Sequence, residues 1–392
     1  METVVIASGA RTAIGAFNGS LKSFTAPQLG ALVIAEALKR AGVDPADVSE
    51  VIMGNVLTSG VGQAPARQAA IFAGLPNTVP CMTINKVCGS GLKAVMLGAQ
   101  AIMTGDADIV VAGGQESMTN TPYILDKARN GYGFGHGQLI DSMIKDGLWD
   151  VYNNYHMGSA AELCASECNI PRDMQDAYAI ESYRRAIAAL DAGLFAEEIV
   201  PVAIPQKKGD PILFSEDEDI RKVNFEKVSS LRPAFQKDGT VTAANASSLN
   251  DGAAAVVLMS ERKATALGIV PMAKIVAQAS AAKAPEWFTT APADAIAKVL
   301  AKAGLTKDDI DLFEINEAFS VVSLVVNQLA GLDPAKVNIT GGAVAMGHPI
   351  GASGTRFLVT LLHALRRENK RRGLATLCIG GGEASALIVE RI

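Results

Sequence analysis

Leu38-Lys39-Arg40-Ala41-Gly42-Val43, with Asp47-Val48 beyond it, returns as Leu300-Ala301-Lys302-Ala303-Gly304-Leu305 with Asp309-Ile310 beyond it, at one constant offset. Self-similarity at a fixed spacing is what a duplicated architecture leaves in a sequence. Around the first copy, strand-like runs at 4–7, 51–55 and 109–112 alternate with helix-period runs at 29–41 and from about 89. Around the second, helices are expected at 291–303 and 353–365 and strands at 312–315 and 374–379. This alternation argues for layered α/β units. A second echo pairs Val110-Val111-Ala112-Gly113-Gly114-Gln115-Glu116 with Leu377-Cys378-Ile379-Gly380-Gly381-Gly382-Glu383, each read as a strand ending in a glycine turn.

Between the halves the sequence changes character, with a glycine-rich stretch at Gly131–Gly137, expected helices at 160–168 and 174–190, and an acidic loop at 216–219. The expected organisation is a first half of 1–119 plus 249–270, an inserted substrate-facing domain of 120–248, and a second half of 271–392.

Bulk properties narrow the function. At 392 residues the chain exceeds the size at which one core stops growing. A net charge of −5 without a long block of one sign leaves no basic face for nucleic acid. The first residues run straight into a strand pattern, which reads as cytoplasmic, and no apolar run is expected to reach the roughly 18 residues that cross a bilayer. Five irregularly spaced cysteines suit reduced thiols better than a disulfide framework.

The sharpest local feature is Asn85-Lys86-Val87-Cys88-Gly89-Ser90-Gly91-Leu92, a cysteine ahead of small residues and then a helical pattern. A helix N-terminus contributes at most about 2 kcal/mol, roughly 1.5 pKa units from a thiol near 8.5. That alone does not ensure a thiolate, so a strong nucleophile here needs a neighbouring base, and four histidines supply the choice. A small, inert core thiol fits the same motif. The second feature, Gly341-Gly342-Ala343-Val344-Ala345-Met346-Gly347-His348-Pro349-Ile350-Gly351, is dense in glycine around one histidine. Glycine there lets backbone and substrate approach closely, and Pro349 keeps His348 extended, which suits an imidazole holding one orientation. Third, Cys378 ends a strand that runs into glycines whose N–H groups can hold an oxyanion. Fourth, Asn316 sits at the end of a strand in Glu314-Ile315-Asn316-Glu317-Ala318-Phe319. Alone, either of these reads as a loop. No metal site competes, because Cys164 and Cys168 have no second ligand pair at zinc-like spacing. Gly131–Gly137 lacks the strand and helix that a dinucleotide fingerprint requires.

With Val87-Cys88-Gly89-Ser90-Gly91, Asn316-Glu317-Ala318-Phe319, Gly347-His348-Pro349-Ile350-Gly351 and Cys378-Ile379-Gly380-Gly381-Gly382 in order along the whole length, the chain closely resembles the thiolases. The resemblance implies an α/β fold of five layers, α-β-α-β-α, duplicated and with an inserted loop domain, and a homotetramer built as a dimer of dimers. It implies reversible Claisen condensation of two acetyl-CoA to acetoacetyl-CoA and CoA, with no cofactor or metal beyond these substrates. Residue by residue, it makes Cys88 the acyl-carrying nucleophile, His348 its activator and Cys378 the acid/base. Gly380 joins the Cys88 N–H in one oxyanion hole, while Asn316, through a water, and His348 hold the second thioester oxygen. His156 and Met157 match residues at the acyl and pantetheine end, Ser247 a pantetheine contact, Leu148, Phe235 and Phe319 apolar tunnel walls, and Arg221 a nucleotide-end contact.

The chain departs from the usual pattern at Ser248, where many biosynthetic members have glycine, at Asp219-Ile220-Arg221 in place of His-Pro-Arg, and at Trp287-Phe288-Thr289-Thr290. The second departure puts Arg221 in question, and the third bears on the acyl pocket. A degradative 3-ketoacyl-CoA thiolase of broader chain length is the alternative reading. A ketosynthase would also use Cys and His, but the paired cysteines 88 and 378 favour thiolase chemistry.

Overall fold

The computed structural model describes residues 2–392. The first half supplies strands β1 (Val4–Thr12), β2 (Glu50–Gly54), β3 (Cys81–Ile84), β4 (Ile109–Ser117) and β5 (Asn250–Ser260), side by side in the order β1-β5-β4-β2-β3. The second half supplies β6 (Ala273–Ala282), β7 (Leu312–Ile315), β8 (Arg372–Ile379) and β9 (Glu383–Arg391), in the order β6-β9-β8-β7. An isolated parallel bridge from Phe313 to Val337 stands where β3 stands beside β2. Directions repeat as well, with β4–β2 and β8–β7 parallel and β5 and β9 antiparallel to their neighbours. The two sheets join edge to edge where β1 meets β6 at just two positions, Val5 with Lys274 and Ile6 with Ala273. β1, β4 and β5 are buried along their whole lengths, which is why they read as continuous small and apolar runs rather than alternating ones.

Helices α1 (Ala26–Ala41) and α2 (Ser90–Thr104) belong to the first half, α3 (Met157–Glu167) and α4 (Arg172–Asp191) to the insertion, and α5 (Ala291–Ala303), α6 (Ser320–Ala330) and α7 (Ser353–Arg367) to the second half. α1 and α5, the repeated segments, each close on a left-handed glycine, Gly42 and Gly304, both at φ 66°. They cover the outer faces of the two sheets, each over its own apolar core. α2 and α7 lie face to face between the sheets, and one core of residues from both halves encloses them, including Leu92, Val95, Phe357 and Leu361. The result is five layers, α-β-α-β-α. Residues 87–104 are apolar enough by length and composition to cross a membrane, contrary to the expectation from sequence, and 56 % of that window is buried inside the protein. Its apolarity serves the middle layer, which is covered on both sides.

Pairing register corrects the second sequence echo. Glu50 lies beside Val110 and its counterpart Leu312 lies beside Gly373, so Val110 corresponds to Gly373, and Gln115 rather than Val111 corresponds to Cys378. The glycines look alike but do different work. Gly381 and Gly382, at φ 89° and 84°, make the turn into β9. Gly113 and Gly114 continue β4, where a Cβ would collide with the Ala254 and Gly351 carbonyls. β4 therefore runs on to Ser117 and carries Glu116 into the interior, fully buried.

The insertion is pinned to β1 by Arg11, which is fully buried and paired with Glu198 (2.7 Å) and Asp217 (2.7 Å).

Candidate active site

α2 and α7 both begin with serine, and their first turns meet. A Cβ on Gly91 would come within 2.8 Å of Thr355 Oγ1, and one on Gly354 would overlap the Leu92 backbone. Small residues at both positions bring the two helix N-termini together, and with them the segments just upstream, which carry Cys88 and His348.

Cys88 sits in the turn between β3 and α2. Val87 takes φ 46°, a strained choice for a β-branched residue. Its neighbours hold it there: Val87 N donates to Asn85 Oδ1 (2.9 Å), while Ser90 Oγ accepts from Lys86 N (2.8 Å) and donates to the Val87 carbonyl (2.7 Å). A Cβ on Gly89 would overlap Ile379, so glycine lets the turn lie against the end of β8, where Cys378 resides. Burial pushes the Cys88 thiol up to about 11, and the N–H groups of Gly380 and of Cys88 itself pull the other way, which aims both donors at the sulfur. Cys378, 1 % exposed, is pushed well above the ordinary thiol range by burial first and by Cys88 second.

His348 lies in the tight loop before α7, with its backbone N–H donating to Asn250 Oδ1 (2.9 Å). Ser353 Oγ donates to the Pro349 carbonyl (3.0 Å), so His348 Nδ1 carries a proton and donates to Ser353 Oγ (2.6 Å). Nε2 is left with its lone pair. Burial, then Arg356, pushes His348 down to about 3, so the ring is neutral. Asn316 directly follows β7, with its N–H on the Thr376 carbonyl (3.1 Å) and its Nδ2 3.5 Å from His348 Nε2. Its Oδ1 is buried without a protein partner.

From the insertion, His156 caps α3: its Nδ1 accepts from Gly158 N (3.0 Å), which places the ring proton on Nε2. The ring stacks on Phe235 at 4.8 Å, and Phe319 meets Phe235 edge-on at 6.1 Å. One cavity of about 400 Å³ touches Cys88, His348, Cys378 and Gly380 together with His156, Met157, Leu148, Ser247, Phe235 and Phe319. Asn316 stands behind His348, 1 % exposed. Arg221 is not brought to this cavity; it is exposed and paired with Asp191 (2.5 Å). Sequence reasoning missed Met118, Met143, Ile144 and Ile350, which wall the same space. Ile350 lay inside a motif already singled out, whereas Met118 follows the end of β4 and Met143 and Ile144 sit in one short helical turn, too brief to give a periodic signal.

A thiol and a second thiol, a neutral imidazole with one free nitrogen and two convergent N–H donors around an apolar cavity can transfer an acyl group and deprotonate a carbon acid. Residues 4–262 match the family model described as "Thiolase, N-terminal domain", and 269–391 match "Thiolase, C-terminal domain". The chain is 59 % identical to the "Acetyl-CoA acetyltransferase" of Cupriavidus necator and 55 % identical to that of Pseudomonas aeruginosa, over the full length of both partners. It is also 55 % identical to "Acetyl-CoA acetyltransferase 2" of Arabidopsis thaliana, over 99 % of this chain and 96 % of that one.

Proposed function

The chain belongs to the thiolase family and is an acetyl-CoA acetyltransferase, and on that premise we propose how its residues divide the reversible condensation of two acetyl-CoA to acetoacetyl-CoA and CoA. Cys88 Sγ attacks the first thioester while His348 Nε2 takes its proton. The oxyanion rests on the N–H groups of Cys88 and Gly380. The carbon–sulfur bond to CoA then breaks, the leaving sulfur takes the proton of Cys378, and acetyl-Cys88 remains beside a Cys378 thiolate and a protonated His348. Cys378 removes the α-proton of the second acetyl-CoA, and the enolate oxygen is held by His348 Nε2–H and, through a water on its open amide, Asn316. The enolate carbon attacks acetyl-Cys88, the carbon–sulfur bond to Cys88 breaks, and His348 returns the proton to Cys88.

The observation that supports this division most is the convergence of Cys88, His348, Cys378 and Gly380 on one cavity from segments far apart in the chain. The duplication adds support for the oxyanion hole: Gly351 N–H, the counterpart of the Cys88 N–H, binds a carboxylate oxygen of Glu116 at 2.8 Å. High values for both thiols and a low one for the imidazole make the charged intermediate costly in the empty site, so it forms only around substrate.

His156 and Met157 border the acyl end of the cavity in this proposal, and Ser247, Leu148, Phe235 and Phe319 line the pantetheine arm, with Arg221 reaching only the nucleotide end. The segment 120–248 acts as the substrate-facing insertion. We infer that the enzyme is a cytoplasmic homotetramer; exposed apolar side chains in the insertion such as Tyr123, Leu139 and Tyr152 support the assembly. Steady-state kinetics with acetoacetyl-CoA and CoA test the scheme: parallel, ping-pong patterns and a loss of about 10³-fold or more in Cys88→Ser support it, and near wild-type turnover by that variant contradicts it.

A further inference from the structure

Glu116 is a buried carboxylate with no part in the scheme above. It is 0 % exposed at the end of β4. Its Oε1 accepts from Asn55 Nδ2 (2.7 Å) and Leu57 N (3.1 Å), and its Oε2 from Val56 N (3.0 Å) and Gly351 N (2.8 Å). Three of these donors belong to the first half, as does Glu116. The fourth belongs to the second half, in the loop that carries His348 three residues earlier. A Cβ on Gly351 would come within 2.5 Å of Oε2, so the loop is seated directly on the carboxylate.

The nucleophile and its base come from different halves, so their separation depends on the joint between those halves. We propose that Glu116 is a positioning residue for the thiolase reaction, a clasp that fixes the His348 loop against the half carrying Cys88. Its role rests on the functional reading above. Asn250 holds the same loop at His348 N, and Glu317 holds the segment just before it at Val344 N (3.1 Å), so three side chains from separate parts of the chain fix this segment along its length. Asn250 and Glu116 both lie on the half that carries Cys88, but Glu116 is the charged one, close enough for its carboxylate to oppose ionisation of that thiol. The geometry and the charge therefore act in opposite directions on Cys88: the clasp aligns its base, and the carboxylate disfavours its thiolate.

Alkylation of Cys88 by iodoacetamide, followed by peptide mapping across pH 7 to 10, separates these effects. In Glu116→Gln one carboxylate oxygen becomes an amide NH2 that faces N–H donors, and the clasp opens. Near pH 7, where the thiol depends on His348, the rate should fall by about 10²-fold, the scale of a 1 Å misplacement. The deficit should close as pH rises toward the range where the thiol ionises unaided, since the opposing charge is gone. Glu116→Asp keeps the charge but cannot span both halves, so it should be slow near pH 7 with less recovery at high pH, and it carries the test if the Gln variant does not fold. A deficit that is the same at every pH, or none in folded variants, overturns the inference. If wild-type protein is not alkylated at Cys88, the functional reading itself fails, and the two failures are thus told apart.

Discussion

Ser353 shows how much of the site's chemistry depends on a single hydroxyl. Its one proton goes to the Pro349 carbonyl, which obliges His348 to hold a proton on Nδ1 and leaves Nε2 with its lone pair, as the proposed base requires. Ser353→Ala should lower kcat by about 10- to 100-fold, and Ser353→Thr should restore most of it; equal losses in both would mean the hydroxyl is not what matters. Asn316→Ala removes the anchor of the water that donates to the enolate and should cost about 10²–10³-fold in turnover while alkylation of Cys88 is preserved. Acid should also act through Glu116, which burial raises to about 7 against the pull of its four donors. The ionised form makes the clasp, and a proton would displace a donor, so activity is retained above that value and lost as pH falls through it. Glu116→Gln should lack that acid limb in a kcat–pH profile. Cys88, His348 and Cys378 were legible in the sequence because each sits in a motif rich in glycine. Glu116, Ser353 and Asn250 were not, since a buried polar residue shows its partners only once distant segments meet.

At the scale of elements, the crossing of α2 and α7 is the feature on which the site depends most. Gly354→Ala forces a methyl into the Leu92 backbone and should destabilise the fold by about 1–3 kcal/mol, measurable as a lower denaturant midpoint, with activity falling in step. Strand ends matter elsewhere: Glu390 on β9 pairs with Lys274 of β6 (2.9 Å) and Arg372 of β8 (2.6 Å), which ties three strands together and draws its carboxyl down to about 2. With the folded value below the unfolded one, this stabilisation is present above about 4.5 and lost as pH falls toward 2. Glu390→Gln should therefore lower Tm at pH 7 and less so at pH 3; an equal shift at both would refute the ion-pair account. The elements were largely readable from periodicity, and α5 and β7 lie at their expected bounds. The strand echo was misaligned by four residues because letters such as Gly-Gly-Gln-Glu and Gly-Gly-Gly-Glu match while the hydrogen-bond register does not. Glycine chosen for close approach and glycine chosen for a turn are the same letter.

For the molecule as a whole, duplication explains why the site lies where it does. Two equivalent helix N-termini meet between the sheets, and the chain has differentiated them: one turn keeps a free N–H beside a cysteine, and its counterpart has that N–H closed by Glu116. The insertion then supplies Met143, His156, Met157 and Phe235, which with Met118 and Phe319 from the two halves turn a joint into a cavity of about 400 Å³. That cavity depends on tertiary contacts between 118, 143–157, 235–249 and 288–350, which no local pattern announces. The account stands on one covalent intermediate. Protein mixed with acetyl-CoA, quenched in acid and mapped by mass spectrometry should carry one acetyl group on the Cys88 peptide and release it as acetyl-CoA when free CoA is added. Acetyl found on another side chain, or an acetyl on Cys88 that CoA does not remove, would contradict it.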